Sequence, residues 1–280
     1  MNVAITGASG FIGRALAERL RASGRSVTAI SLRTQPAPEI FAQCQAVVNL
    51  AGEPVAQRWT AAVCERISNS RIQGTRSLVS ALRQHPPAVL ISASAVGYYG
   101  ARRDETLTED ALPSSDFLGQ LAVRWEQEAR AAEQFGVRVI TPRIGVVLGP
   151  GGGALAQMLL PFRLGVGGRL GTGAQWMSWI ALDDLVSLIE FAIEDTALSG
   201  PVNAVAPHPV TNAVFTRVLA AALHRPAILP VPAFALKILF GEMSQVLLTG
   251  QRVIPQAALR AGFQFRFSEL GDALRHVIAG

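Results

Sequence analysis

Cysteine, histidine, lysine and charge in general are scarce in this 280-residue chain. Its two cysteines, Cys44 and Cys64, have neither metal-type spacing nor partners for a disulfide framework, so they read as free thiols of a reducing compartment. The four histidines (His85, His208, His224 and His276) form no His-x-x-x-His or Glu-x-x-His pattern, which argues against a metal site. No Gly-x-Ser-x-Gly elbow of the hydrolase type occurs either. No apolar run reaches the roughly 18 uncharged residues that a membrane span needs. The N-terminus has neither a basic region nor a small-residue cleavage site around its apolar run, so no export signal is expected. These absences predict a cytoplasmic protein with no metal and no membrane partner. Only 16% of residues are charged, with a net charge of +5, and Lys237 is the single lysine beside many arginines. Those arginines are spread along helix faces rather than gathered in a stripe or tail, so no nucleic-acid partner is expected. The partners left are a small-molecule substrate and, as an option, further copies of the chain in a homo-oligomer.

Apolar residues and glycine are abundant. Half of the residues are hydrophobic, 26 are glycine, and the mean hydropathy is +0.32. Such a chain can bury one large α/β core, alone or with an appendage. Its first residues fix the class. The apolar run Val3-Ala4-Ile5 leads into Thr6-Gly7-Ala8-Ser9-Gly10-Phe11-Ile12-Gly13, and Ile12, Leu16 and Leu20 then recur at helical spacing up to Gly24. The order strand, tight turn, helix N-terminus makes a dinucleotide pyrophosphate site in a βαβ unit. Gly7 allows the turn, Gly10 lets a phosphate approach the backbone, and Gly13 lets helix and strand pack closely.

The next strand, Val27–Leu32, bears on cofactor choice. An acid about 20 residues beyond the glycines takes the ribose hydroxyls of NAD, whereas an arginine accommodates the 2′-phosphate of NADP. No Asp or Glu lies between Glu18 and Glu39, and the strand ends in Ser31-Leu32-Arg33. The reading is NADP(H), with Arg33 pairing with the phosphate; the alternative is an ordinary surface arginine.

A third strand, Ala46–Leu50, runs into the small pair Ala51-Gly52, which lets a ligand lie close at the sheet's carboxyl edge. Thr60 is a candidate N-cap for a long helix that ends at Pro86-Pro87, and Gly74 within it suggests close packing on the sheet. The strand Ala88–Ser92 delivers Ser94, Tyr98 and Tyr99 to the same edge. Hydroxyls there suit a site that polarises and protonates a carbonyl oxygen; the alternative is a glycine-rich turn with structural aromatics. Asp104–Ser115 reads as a surface loop. Asp116 caps a helix whose buried face holds Leu118, Leu121, Trp125 and Ala129, and Val137–Thr141 is a further strand. Leu155–Leu164 is expected to be broken by Pro161, and Gly165–Gly173 to be a connector or ligand-wrapping loop. Asp183 is expected to cap a helix over 184–194, and Pro201–Val205 is the last sheet strand. Short helices then follow over 211–223, 233–241 and 255–261. Phe263, Phe265 and Phe267 suggest an edge strand or extended arm, and Ser268 a cap for a final helix carrying Leu270, Leu274 and Val277. The expected fold is α/β, a doubly wound parallel sheet of Rossmann type over 1–206. A smaller, mainly helical C-terminal domain over 207–280 is expected to close on the cofactor. Residues 151–182, including Trp176 and Trp179, are expected to shape a substrate pocket.

Taken together, these residues resemble a known family. The glycine fingerprint is similar to that of extended short-chain dehydrogenases/reductases. Asn49-Leu50-Ala51-Gly52-Glu53, Ser70-Arg71-Ile72, Trp125-Glu126, Arg143-Ile144-Gly145-Val146-Val147-Leu148-Gly149, Leu160-Pro161-Phe162-Arg163-Leu164-Gly165 and Ser178-Trp179-Ile180 resemble the atypical, epimerase-like group of the SDR39U1 type. Gly262-Phe263-Gln264-Phe265 and Glu269-Leu270 resemble that group's C-terminal module. The likeness covers the whole length. It implies an NADP(H)-binding fold whose cofactor set comprises Gly7, Ser9, Gly10, Phe11, Ile12, Gly13, Ser31, Leu32, Arg33, Leu50, Ala51, Gly52, Arg66, Arg71 and Val146. It also exposes a departure. Typical members use a Tyr-x-x-x-Lys pair, in which lysine lowers the tyrosine's pKa. The corresponding helix here reads Phe117-Leu118-Gly119-Gln120-Leu121. Ser94, Tyr98 and Tyr99 remain as catalytic candidates. Two functions follow: an NADP(H)-dependent oxidoreductase or epimerase of an unspecified small molecule, or a non-catalytic NADP(H)-binding sensor or regulatory protein.

Overall fold

The computed structural model describes residues 1–279. Strand β1 (Asn2–Thr6) turns through Gly7 into helix α1 (Phe11–Ala22), and β2 (Ser26–Ile30) returns beside it. Gly24, at φ +79°, ends α1 while the N–H groups of Gly24 and Arg25 bond back to the Arg21 and Leu20 carbonyls. β3 (Ala46–Asn49), α2 (Ala61–Leu82) and β4 (Val89–Ser92) follow. Thr60 caps α2 by accepting from the Val63 N–H at 3.3 Å, as its sequence position predicts. Two short strands, β5 (Ser94–Ala95) and β6 (Thr106–Leu107), precede α3 (Phe117–Arg130), which Asp116 caps through the Gly119 N–H at 2.8 Å. Next come β7 (Arg138–Ile144), β8 (Val146–Leu148), α4 (Gly153–Arg163), β9 (Trp176–Met177), β10 (Trp179–Ala181), α5 (Leu182–Glu194) and β11 (Gly200–Ala204). The rest of the chain forms β12 (Val210–Thr211), α6 (Asn212–Ala222), α7 (Ala233–Phe240), α8 (Ser244–Leu248), β13 (Arg252–Val253), α9 (Gln256–Arg260) and α10 (Leu270–Ala279).

The central sheet runs in the order β2-β1-β3-β4-β7-β11, with β5 also on β7, and every pairing is parallel. Alternation along the strands divides the core into two layers. Val3, Ile5, Val48 and Ile91 face α1 and α5, whereas Ala4, Val47, Leu90 and Val139 face α2 and α3. α5 alone buries Leu185, Leu188 and Ile189, each a side chain whose burial contributes about 1.5–3 kcal/mol. Because β1 lies between β2 and β3, the chain's winding reverses there. The crevice at the carboxyl ends of β1 and β3 is therefore the switch point at which such sheets bind ligands.

The structure departs from the sequence reading in several places. Pro161 does not break α4, which runs on to Arg163. The proline removes only one N–H near the helix end, and its own carbonyl accepts from Val166 and Gly167. Ala181 rather than Asp183 is the N-cap of α5, because both aspartates fall inside its first turn. Asp184 is buried and uses its carboxylate on the N–H groups of Arg266 and Phe267, each at 2.9 Å. Those bonds hold the Phe263–Phe267 segment, which joins no strand ladder. Ser268 does not cap α10; the helix begins at Leu270, with the Ala273 N–H on the Glu269 carbonyl. Gly74 is no close-packing site, since a Cβ there would meet only Leu32 at an ordinary 3.7 Å. The 104–115 segment is more than a surface loop: Thr106–Leu107 pairs with β13 and buries Leu107 completely. Trp179 is a core residue rather than a pocket wall, fully buried with its indole N–H on the His208 carbonyl.

Candidate functional site

The glycine turn sits in the β1/β3 crevice and has no room for a side chain at Gly7 or Gly13. Gly7 has φ +70°, and a Cβ on it would lie 2.7 Å from the Leu50 carbonyl oxygen. A Cβ on Gly13 would run into the Gly7 carbonyl, and one on Gly10 would lie 3.1 Å from it. The Gly10 N–H closes the turn on the Gly7 carbonyl at 2.9 Å. No side chain caps α1 and no acid stands in its first turn, so its N-terminal N–H groups and dipole favour an anion there. Ser9 and Gly10 are exposed at this point, and Ile12 is half-buried. The Phe11 ring turns away into a cradle: a Cβ on Gly149 or Gly153 would approach it to 2.8 Å, and one on Gly152 closer still. That contact explains why the segment beyond β8 is so rich in glycine.

The rim is basic. Ile30 pairs with Thr6, so Ser31–Arg33 emerges beside the turn. The Ser31 hydroxyl accepts the Arg33 N–H at 3.2 Å, Leu32 is half-buried, and Arg33 is exposed. Among the described residues Arg33 enters no ion pair. On the other side, Leu50 and Ala51 are half-buried and Gly52 is exposed. A Cβ on Gly52 would lie 3.2 Å from the Arg71 guanidinium carbon. Arg71 donates to the Glu53 carbonyl at 2.9 Å and stacks 5.0 Å from the Trp125 ring centre. Burial pushes its pKa down to about 10, against the opposing pull of Glu53. Arg66 lies further out, exposed and 3.7 Å from the Glu53 carboxylate. Val146 is on β8, its N–H on the Ser178 carbonyl at 2.8 Å.

Beneath the edge lies a buried polar relay that the sequence reading missed. The Thr6 hydroxyl donates to Asn49 Oδ1 at 2.6 Å, and Asn49 Nδ2 donates to the Thr75 and Ser92 hydroxyls at 3.0 Å each. The Trp125 indole N–H joins Thr75 at 3.0 Å. Its signal in the sequence is one polar residue closing each of three apolar strands. Thr6, Asn49 and Ser92 are register partners across β1, β3 and β4.

A second buried network takes up the catalytic candidates. Ser94 donates to Glu126 Oε1 at 2.7 Å, because an ionised carboxylate can only accept. Glu126, on α3, receives both Nε and Nη2 of Arg143, at 2.9 and 3.0 Å. Arg143 Nη1 donates to the Tyr99 hydroxyl at 2.9 Å, so the phenol must spend its own hydrogen on Asn203 Oδ1, at 2.6 Å. Ser94, Tyr99, Glu126, Arg143 and Asn203 are all buried. Burial pushes the Tyr99 pKa up to about 12, outweighing Arg143 and Asn203. Burial also opposes charge on Arg143, but Glu126 and Tyr99 together hold its pKa above the usual arginine value. Tyr98 is half-buried, its ring centre 3.4 Å from the Arg143 guanidinium carbon. Phe117 packs edge-on to Trp59 at 5.3 Å, and Leu121 is buried with Val63 and Ile67. Where a tyrosine–lysine pair would stand, the helix is part of an apolar cluster. Glu126, Arg143 and Asn203 are far apart in sequence, and only their joint burial marks them. Among the described residues no cluster of His, Cys, Asp and Glu forms a metal site.

These features have counterparts in known proteins. The model of the "NAD dependent epimerase/dehydratase family" matches residues 3–205, and a "Domain of unknown function" model matches residues 231–277. The epimerase family protein Mb2239 of Mycobacterium bovis is 45% identical, covering 97% of this chain and 96% of its own. The epimerase family protein YfhF of Bacillus subtilis is 39% identical, covering 100% and 98%. The crystal structure of human epimerase family protein SDR39U1 with NADPH superposes with a TM-score of 0.92 at 37% identity over 100% of both chains. The glycine crevice and the full-length likeness agree on a nicotinamide cofactor. This chain therefore belongs to the NAD dependent epimerase/dehydratase family, as an extended short-chain dehydrogenase/reductase of the SDR39U1 type with its C-terminal module.

Proposed function

We propose that this chain binds NADP(H) and acts as an oxidoreductase or epimerase on a small molecule without a tyrosine–lysine pair. The observation that carries the cofactor choice is the charge at the end of β2. Arg33 is exposed beside the Gly7 turn, and no acid between Glu18 and Glu39 stands by to repel a 2′-phosphate. The NADPH in the human SDR39U1 structure supports the same reading. The α1 N-terminus with Gly7, Ser9, Gly10 and Gly13 would hold the pyrophosphate. Ser31 and Arg33 would hold the ribose phosphate, and Leu50, Ala51, Gly52 and Arg71 would line the crevice. When bound, the cofactor exchanges a hydride at the nicotinamide C4. Ser94 and Tyr99 orient Glu126 and Arg143, and their hydroxyl hydrogens are spent on Glu126 and Asn203. Tyr98 is the remaining hydroxyl for moving a proton to or from a substrate oxygen, with its ring held over the Arg143 guanidinium. We place the protein in a reducing compartment such as the cytoplasm, in keeping with its free thiols.

A second reading, occupancy by NADP(H) used for sensing or assembly, is favoured by the apolar packing of Phe117 and Leu121. Two measurements separate these. Fluorescence titration is expected to give tighter binding of NADPH than NADH, with the preference reduced about tenfold in Arg33→Ala, the worth of one charged hydrogen bond. Tighter binding of NADH would remove the cofactor reading. With NADPH and a panel of carbonyl compounds, turnover lost in Tyr98→Phe supports the enzyme. Turnover that survives Tyr98→Phe removes Tyr98 from the mechanism, and none with any compound favours the sensor.

A further inference from the structure

The C-terminal half carries an apolar face that the cofactor site does not use. Leu160 and Leu164 lie four apart on the end of α4, Phe234 and Ile238 four apart on α7, and Val166 and Leu229 stand between them. All six are 59–68% exposed, although large apolar side chains of this kind ordinarily go inside. The backbone brings them together. Leu170 bridges Val231, the Val231 N–H bonds to the Arg169 carbonyl at 2.8 Å, and Gly168 lies so close under the Leu229 carbonyl that a Cβ would collide with it. The segment that follows α4 and the one that leads into α7 are thus joined.

The charge of this region is one-sided. No Asp or Glu occurs between Glu133 and Asp183, nor between Asp195 and Glu242, and these two stretches supply all six apolar residues. They also supply Arg163, Arg169, Arg225 and Lys237, all exposed. None of these four enters an ion pair among the described residues. We propose that this face docks on an anionic lipid bilayer. The apolar side chains would seat among the acyl chains and the four cations would lie on headgroup phosphates. Charge decides against a second copy of the chain as occupant. A two-fold interface sets a patch against itself, and here that would oppose cations to cations with no acid in either stretch to pair them. That no helix among the described residues is long and apolar enough to cross a membrane bears on spanning a bilayer, not on lying against one. α7 and the residue after it meet the segment that leads into α2: Arg58 donates to the Ile238 carbonyl at 3.4 Å, and Trp59 bridges Gly241.

Co-sedimentation with vesicles tests this, using phosphatidylcholine alone and an equimolar mixture with phosphatidylglycerol. The wild-type chain is expected to pellet with the mixed vesicles and to be released by high salt. Arg163→Gln with Lys237→Gln is expected to weaken partitioning about fivefold per cation removed, the equivalent of about 1 kcal/mol each. Phe234→Ser with Ile238→Ser is expected to lose vesicle binding while retaining the wild-type circular dichroism spectrum and melting midpoint. Equal recovery in the supernatant with both vesicle types would overturn the proposal. So would a sedimentation-velocity dimer that dissociates in Phe234→Ser, which would assign the face to contacts between copies.

Discussion

Glu126 is the hinge of the buried network at the residue scale. Its carboxylate takes the Ser94 hydroxyl and two guanidinium nitrogens of Arg143, and Arg143 in turn fixes Tyr99. Removing a partner from a buried ion pair leaves an uncompensated charge, and that charge, more than the lost attraction, sets the cost. Glu126→Ala is therefore expected to destabilise the fold by about 3–5 kcal/mol in urea denaturation. Ser94→Ala, which leaves the ion pair intact, should cost only about 1 kcal/mol. Equal effects of the two would show that Arg143 finds another anion. Ser94 and Tyr99 stand out in the sequence as hydroxyls near a strand end, but their partners do not, because those come from three other elements. The chemistry at these residues follows from where their hydrogens go, and a list of residue types does not contain that.

The turn from β1 into α1 is the element on which cofactor binding rests. Gly13 has no room for a methyl group, since the Gly7 carbonyl and Ala8 Cα occupy that space. Gly13→Ala must push α1 off the strand or distort the turn. The expected result is a loss of about 1–3 kcal/mol of stability, as for overpacking elsewhere, together with at least about a tenfold weaker NADPH affinity by titration. An unaffected affinity would show that the phosphate contacts do not depend on the helix's approach. This element was legible in the sequence because strand, turn and helix start are local, set by glycine and by the change of period from 2 to 3.6. The caps at Thr60 and Asp116 were legible for the same reason. The mistaken cap at Asp183 has the opposite cause: its carboxylate meets His276 and Arg266 from the chain's far end, and a local pattern cannot announce a distant partner.

At the scale of the whole molecule, the helices α1 and α5 of one layer are tied together by charge as well as by apolar contact. Glu190 on α5 takes Arg19 of α1 and Arg25 beyond it. Burial raises its pKa, but the two arginines together outweigh that and hold it below the ordinary glutamate value of 4.5. A carboxylate whose folded pKa is depressed binds fewer protons folded than unfolded. Its contribution is thus complete above 4.5 and is lost as pH falls through the folded value. Glu190→Gln is expected to lower the unfolding free energy at neutral pH, with the gap to wild type closing on the acid side of 4.5. A gap that persists in acid would mean that the side chain works through packing rather than charge.

By itself the sequence determined the α/β class, the dinucleotide turn, the family and the absence of the tyrosine–lysine pair. Each of these is written in short segments of fixed spacing, where neighbours along the chain are neighbours in space. The tertiary structure decided the rest. It showed that Phe11 fills the glycine cradle of Gly149–Gly153, that Trp179 is core, and that Ser94 and Tyr99 are bound into a buried ion-pair network. It also left Leu160 of α4 and Phe234 and Ile238 of α7 exposed. Burial and hydrogen-bond partners are properties of contacts between distant segments, and they exist only once the sheet has brought β1, β3, β4 and β7 side by side.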